Sequence, residues 1–393
     1  MTMTDMDSNT CADITDQPIP CGSITELFKQ TIRLNASDLH LAADIPPMFR
    51  VKGKIQPLDG HPPLSSEAVL ALLGEIMTDR YREVLKTRRS VDFAISVNEV
   101  GRFRVAAYYQ RGSLSIAFRL LAAGIPTFES LGLPESLGRL PYIRDGLVLV
   151  TGVTGSGKST TLATVIHEIN AHFSHNIITI EDPIEYVHQN NQSIINQREL
   201  HSDVPSFSEA LRDALRADPD VILVGEMRDL ETMRTAIMAS ETGHLVFSTL
   251  HSRDCVSTVN RLVGAFPAGE QPLIRQQLAS TLKAVISQRL LPNAANTGRV
   301  PGVEIMFSTP GISNLIRQGK DDMIYSNIET GFTDGMITME QCLANLVKEG
   351  KISVDTAISA AKNKNLMRQR LNADEPQQEV PGPVRRNWFR RQR

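Results

Sequence analysis

Residues 146–160, Gly-Leu-Val-Leu-Val-Thr-Gly-Val-Thr-Gly-Ser-Gly-Lys-Ser-Thr, constrain this chain more than any other stretch. Leu147 to Val150 is an apolar run of the length that suits a buried parallel strand. Gly152 to Ser159 then match G-x-x-x-x-G-K-[ST] at every fixed position. Beyond Lys158, the residues Leu162, Val165, Ile166 and Ile169 recur at helical spacing. Strand, glycine loop and helix form the context in which this motif cradles phosphate. The loop residues Gly152, Val153, Thr154, Gly155, Ser156 and Gly157 can turn backbone N–H groups inward, at the positive end of the helix that opens through Thr160. Lys158 adds a point charge at the β- and γ-phosphates, and the Ser159 hydroxyl suits Mg²⁺. A chance glycine-rich turn does not account for agreement on both flanks. The cofactors expected are a nucleoside triphosphate, ATP in the first instance, and Mg²⁺.

A length of 393 residues suggests two or three domains. No apolar stretch approaches the roughly 18–20 residues of a membrane span, and the acidic N-terminus does not read as a signal peptide. The chain therefore reads as cytoplasmic. Cys11, Cys21, Cys255 and Cys342 are scattered with no C-x-x-C pair, which indicates neither a zinc site nor a disulfide framework. The net charge of −3 hides an asymmetry, because residues 381–393 hold five arginines and no acid, leaving −8 on the rest. Such a body lacks the basic face of a nucleic-acid binder. The tail, with Trp388 and Phe389 among its arginines, reads either as a solubilising segment or as a peripheral contact with anionic lipid.

Residues 1–22 are polar and acidic and read as disordered. From Ser23 the spacing of Ile24, Leu27, Phe28 and Ile32 predicts a helix, with Ser23 or Thr25 as its cap. Strands are expected at Ser37–Leu41, Met48–Val51, Val91–Val97, Gly101–Tyr109 and Leu114–Leu120, with one helical region over Ser66–Leu85. Together these make a small α+β domain over residues 23–125. Residues 126–141, rich in Gly and Pro, read as a linker. Apolar strands at 147–151, 177–181, 221–225 and 245–250 then alternate with helices, which argues for a parallel sheet covered on both faces over residues 142–368. Ser206 and Glu209 suit the start of a helix ending near Ala217. After Pro292 the pattern reads as short helices, including Ile312–Arg317 and about Thr338–Lys364, before a basic tail over 369–393.

Ligands of open parallel sheets sit beyond the carboxyl ends of the strands. Polar residues cluster at three such ends: Glu181-Asp182-Pro183-Ile184-Glu185, Gly225-Glu226-Met227-Arg228-Asp229 and His251. Carboxylates beside a triphosphate are unfavourable unless they hold Mg²⁺, directly or through its waters, or position the attacking water. His251, at a strand end, is the better candidate for sensing the γ-phosphate. His244 lies seven residues earlier, on the opposite face of a regular strand, which argues against a shared metal.

The phosphate loop, Ile180–His188 (IEDPIEYVH), Val221–Thr232 (VILVGEMRDLET) and Ala239–His251 (ASETGHLVFSTLH) together resemble the Walker A, Asp box, Walker B and His box of the secretion ATPase superfamily. Within it the chain is most similar to the PilT/PilU-type retraction ATPases of type IV pili, over about residues 23–365. That resemblance implies an α/β fold in which a PAS-like α+β domain precedes a RecA-like P-loop ATPase domain. It implies a homohexamer acting on an inner-membrane pilus platform protein, at the cytoplasmic face of that membrane, in twitching motility. It assigns Glu185 as general base or water-orienting carboxylate, and Glu226 as the Walker B glutamate near Mg²⁺. Arg104 and Arg119 match family arginines that reach ATP across a domain or subunit boundary.

The four-cysteine module and extra N-terminal domain usual in assembly ATPases of the superfamily are not found, which favours retraction. The retraction motif A-I-R-N-L-I-R-E stands here as Gly311-Ile312-Ser313-Asn314-Leu315-Ile316-Arg317-Gln318, different at three positions. That difference suggests an accessory role beside a second retraction ATPase. The alternative reading is an ATPase of a related type II/IV secretion or conjugation machine.

Overall fold

The computed structural model describes residues 22–121 and 124–373, so the expectations for the acidic extension, for Cys11 and Cys21 and for the arginine-rich tail from residue 374 lie outside the described residues. The chain divides into two compact units. The first holds residues up to Ile125 with Asp182–Val187, the second Pro126–Glu181 and residues from His188 onward.

In the first unit, helix α1 (Ile24–Arg33) opens at Ser23, whose hydroxyl accepts from Glu26 N at 3.4 Å. Strands β1 (Ala36–Ala42), β2 (Met48–Val51) and β3 (Lys54–Pro57) follow. Lys52 and Gly53 both take positive φ, as a two-residue hairpin turn with the strands' own twist requires. Helices α2 (Ser66–Gly74) and α3 (Asp79–Arg88) lead to β4 (Ser90–Val97), β5 (Gly101–Gln110) and β6 (Ser113–Leu120). The antiparallel sheet runs β3-β2-β1-β6-β5-β4. Alternate residues such as Phe103, Val105 and Phe118 bury one face against α1, where Phe28 stacks on Phe103 at 4.1 Å. The single helical region expected over Ser66–Leu85 is two helices, because Thr78 caps a second start by accepting from Tyr81 N.

In the second unit, a short 3₁₀ segment (Glu135–Tyr142) buries Leu137 and Leu140. Then come β7 (Gly146–Thr151), α4 (Lys158–His172), β8 (Asn176–Glu181), β9 (Ile194–Glu199), α5 (Phe207–Ala214) and β10 (Val221–Val224). They are followed by α6 (Leu230–Glu241), β11 (Leu245–Leu250), α7 (Cys255–Gly264), α8 (Gln271–Thr281), β12 (Leu282–Pro292) and β13 (Arg299–Phe307). Helices α9 (Pro310–Gln318), α10 (Ile324–Thr330), α11 (Met339–Lys348), α12 (Val354–Ala360) and α13 (Lys364–Ala373) close it.

The sheet order is β13-β12-β7-β11-β10-β8-β9, parallel except for β13. Strand β7 is buried throughout and alternates between two cores. Leu147 and Leu149 pack with residues of α5–α8, Val148 and Val150 with residues of α4 and α11. Helices thus cover both faces, as continuous apolar strands demand.

Three local expectations are corrected. The chain after Pro292 does not turn straight to helices, because β13 pairs with β12 first. Pro301 and Gly302 disguise β13 in the sequence, and an edge strand tolerates both. The helix expected over about 338–364 is broken by Gly350, at φ +67°, and restarted at Ser353, which accepts from Thr356 N. Helix α5 stops at Ala214, ahead of Asp218 with its left-handed φ of +53°.

Candidate functional site

Five parallel strands, β12, β7, β11, β10 and β8, end along one edge of the second unit's sheet. Thr151 lies opposite Leu250, and Val224 opposite both Ser248 and Ile180. The chain leaving each strand stays tied to its neighbour: Gly152 N donates to Leu250 O at 3.3 Å, and Gly225 N to Ile180 O at 2.8 Å. Met227 N likewise donates to Thr249 O at 3.2 Å. The sheet therefore brings the phosphate loop, His251, Glu226 and Glu181 to one edge, in that order.

The loop keeps the curvature its glycines permit. Gly152 stands at φ +145° and Gly157, which caps α4, at φ +91°. Neither site has room for a side chain, since a Cβ on Gly152 would lie 2.3 Å from Gln288 O. Val153, Thr154 and Gly155 are exposed, Ser156 is buried, and Ser159 is exposed on the first turn of α4 beside half-buried Thr160. Lys158 is nearly buried, and its Nζ donates to Gly152 O and Val153 O, each at 3.1 Å. Its ammonium is thereby held over the loop's own mouth. Inward backbone donors, a helix N-terminus and a fixed ammonium make an arrangement that favours bound phosphate.

Beyond the neighbouring strands, Glu226 sits between the His251 imidazole and the Arg228 guanidinium. Its Oε1 lies 3.1 Å from His251 Nε2, and its Oε2 accepts from Arg228 Nε at 2.9 Å. Arg261 steadies the far side by donating to His251 O at 2.8 Å. The structure thus brings Glu226 and His251 together. Arg228 and Arg261 join them, and the sequence reading missed both roles. Arg228 could have been found from its place two residues after Glu226 in the same strand-end loop. Nothing local marks Arg261, which reaches back from α7. Asp229 caps α6 through Thr232 N and Oγ1.

Glu181 is braced within the sheet, accepting from Thr179 Oγ1 at 2.8 Å and Gln197 Nε2 at 3.1 Å. His244 lies just before β11, where its Nδ1 is 3.0 Å from Ala239 O, while His251 lies just after that strand. The two histidines are therefore separated by the whole of β11. Cys255 and Cys342 are buried as free thiols, and burial pushes Cys342 up to about 11.

Glu185, Arg104 and Arg119 belong to the first unit. Residues 182–187 are tied there by Arg102 Nε, which donates to Ile184 O at 2.9 Å. Arg104 and Arg119 are directly opposite on β5 and β6, and Arg119 is opposite Asp38 on β1. Arg50 completes the row on β2. Arg119 Nε donates to Asp38 Oδ1 at 2.8 Å, and Arg50 Nε lies 3.5 Å from Oδ2. Burial raises the Asp38 carboxyl, but the hydrogen bonds from Ser37 and Arg119 outweigh it and leave the group below its ordinary value.

In α9, Ile312 and Ile316 are fully buried. Ser313 Oγ is 3.1 Å from Ser308 Oγ, and Gln318 Nε2 donates to Asn314 Oδ1 at 3.2 Å, so two of the three divergent positions make short-range polar contacts. Among the described residues, no helix is long and apolar enough to cross a membrane.

Residues 15–373 match the family model for type II/IV secretion system proteins. The type IV pilus retraction ATPase PilT of Pseudomonas aeruginosa is 48% identical over 339 residues, covering 86% of this chain and 98% of that protein. The type IV pilus ATPase PilU of the same organism is 37% identical, covering 87% of this chain and 90% of that protein. A crystal structure of the pilus retraction motor PilT with bound ADP superposes with a TM-score of 0.83 at 46% identity, covering 88% of this chain and 99% of that one. This chain belongs to the family of type II/IV secretion system proteins.

Proposed function

We propose that this chain is an ATPase motor that hydrolyses ATP at the phosphate loop Gly152–Thr160 and uses the cycle to drive type IV pilus retraction. The observation that carries the chemistry is the sheet edge itself, where the loop, His251 and Glu226 follow parallel strands β7, β11 and β10. The near-full-length similarity to PilT supports the mechanical output.

Ser159 and Glu226 offer hard oxygen donors, which suit Mg²⁺ beside phosphate oxygens. Both oxygens of Glu226 are already engaged by His251 and Arg228, so Glu226 would hold the metal through an intervening water. When bound, the metal neutralises charge on the phosphates. Lys158 contributes the charge at the β- and γ-phosphates, and His251 reports the γ-phosphate to Glu226. Glu185 acts as general base or orients the attacking water, and Arg104 and Arg119 offset charge on the transferred phosphoryl group from a second domain or protomer.

In this reading residues 23–125 are a PAS-like domain, joined through 126–141 to a RecA-like ATPase domain over 142–368. Six copies form a ring on the pilus platform protein at the inner membrane. Identity is higher to PilT than to PilU, which favours a primary motor, whereas Ser313 and Gln318 favour one that works beside a second. The test of the chemistry is ATP turnover by purified protein, present in the parent and absent in Lys158→Ala. A parent that binds ATP without hydrolysing it would replace the motor by a nucleotide-dependent scaffold.

A further inference from the structure

Strand β12 runs parallel to β7 with Ser287 opposite Thr151, so Gln288 comes level with Gly152, where the phosphate loop begins. Gln288 is only 3% exposed. Its main-chain oxygen is 2.3 Å from the place a Cβ on Gly152 would take, and its side-chain Nε2 is 2.7 Å from that place on Gly157. Its Oε1 accepts from the buried Thr161 Oγ1 at 2.8 Å. One residue thus touches the loop at its first and last fixed glycines and also the first turn of α4.

The flanking residues of β12 face the other way, as strand alternation requires. Ser287 Oγ donates to Arg253 O at 3.0 Å, and Arg289 donates to Arg253 O at 3.4 Å and to Ala360 O at 2.7 Å. Three consecutive residues therefore tie the phosphate loop to one side of the strand and the segment after His251 to the other. Between Ala284 and Leu291 the strand is otherwise Ala, Val, Ile and Leu, which have no packing need for this polar step.

We propose that Gln288 is a positioning residue for the nucleotide, holding the Gly152–Lys158 backbone in its phosphate-binding curve by bridging it to Thr161. An uncharged amide meets both demands of the place. Its carbonyl takes the Thr161 hydroxyl, and it puts no negative charge beside the phosphates. A loop held in advance keeps its N–H groups aimed, so less order has to be imposed on binding. The proposal rests on the nucleotide reading above.

The test uses the full chain and a fluorescent ADP analogue with Mg²⁺, alongside ATP turnover. Gln288→Met keeps the length and removes the acceptor. It should weaken the analogue about tenfold, the scale of one buried hydrogen bond. KM for ATP should rise with it, while kcat stays within about threefold, because the catalytic groups are untouched. Thr161→Val removes the donor of the same bond and should give the same loss, with no further loss in the double variant. It also carries the test if Gln288→Met does not fold. Gln288→Glu keeps the acceptor but should bind more weakly than Gln288→Met, with part of the loss recovered in salt that screens the charge.

Parent-like affinity in folded Gln288→Met or Thr161→Val overturns the proposal, as does a fall in kcat at unchanged affinity. If the parent itself does not bind the analogue, the nucleotide reading fails along with it. If the parent binds and the variants bind equally well, only the role of Gln288 fails.

Discussion

His251 Nε2 stands 3.1 Å from Glu226 Oε1, across the carboxyl ends of the parallel strands β11 and β10, whose register places Ser248 opposite Val224. Arg228 holds the other oxygen of the same carboxylate, so the glutamate is fixed from two sides. Replacing it by Glu226→Gln keeps the shape and removes the charge that holds both partners. ATP turnover should fall by about 10²-fold or more, on the scale of a lost catalytic group, with nucleotide binding retained. Stopped-flow binding and steady-state hydrolysis on the same preparation separate the two effects. Unchanged turnover in Glu226→Gln would remove the carboxylate from the mechanism.

Much of this edge was readable from residues alone, because a glycine loop between an apolar strand and a periodic helix has few other uses. Glu226 and His251 stand just past strand ends that hydrophobic runs mark, and Lys158 and Ser159 open the helix after the loop. Contacts made across the sheet were not readable. Gln288 and Arg261 come from elements whose own sequences carry no motif, and only strand order brings them near. Strand β13 was hidden by Pro301 and Gly302, whose unfavourable propensities an edge position absorbs. The breaks at Thr78 and Ser353 are caps inside what periodicity alone reads as single helices.

The resemblance to the family implies Glu185 as general base or water-orienting carboxylate, which is the role proposed for it. Glu185→Gln should bind nucleotide like the parent and hydrolyse it about 10²-fold more slowly. Lys158→Ala should lose both binding strength and hydrolysis, since it removes charge from the β- and γ-phosphates. Parent-rate turnover in Glu185→Gln would move the role to Glu181 or Glu226. Of these, Glu181 is already braced by Thr179 and Gln197.

Arg119 and Arg104 share one cross-strand position on β6 and β5, and Asp38 orients the first of them. If they complete a site on another protomer, Arg119→Ala and Lys158→Ala proteins should each be inactive and regain part of the activity when mixed. The gain arises at interfaces that pair an intact arginine with an intact loop. Titrating one variant into the other while following phosphate release measures it. Full activity in a protein that sediments as a monomer would rule out the shared site.

Burial, with the charge of His167 adding to it, lowers His188 to about 4 from its ordinary 6.5. The unfolded chain therefore binds a proton here more readily than the folded one as pH falls below 6.5. Stability from this residue is full above that value and is lost as pH drops to about 4. Chemical denaturation of the parent and His188→Asn across this window should show a shallower acid loss in the variant, by roughly 2–3 kcal/mol at most. Parallel curves would mean that His188 is as accessible to protons in the fold as outside it.

The central claim is that ATP hydrolysis by this chain withdraws pili rather than building them. Its most direct test is deletion of the coding sequence in the organism that carries it, scored for surface pili and for twitching. Retraction predicts cells that stay piliated or become hyperpiliated while twitching is impaired, with the defect restored by the parent and not by Lys158→Ala. Bald cells after deletion would contradict the account and assign the chain to assembly.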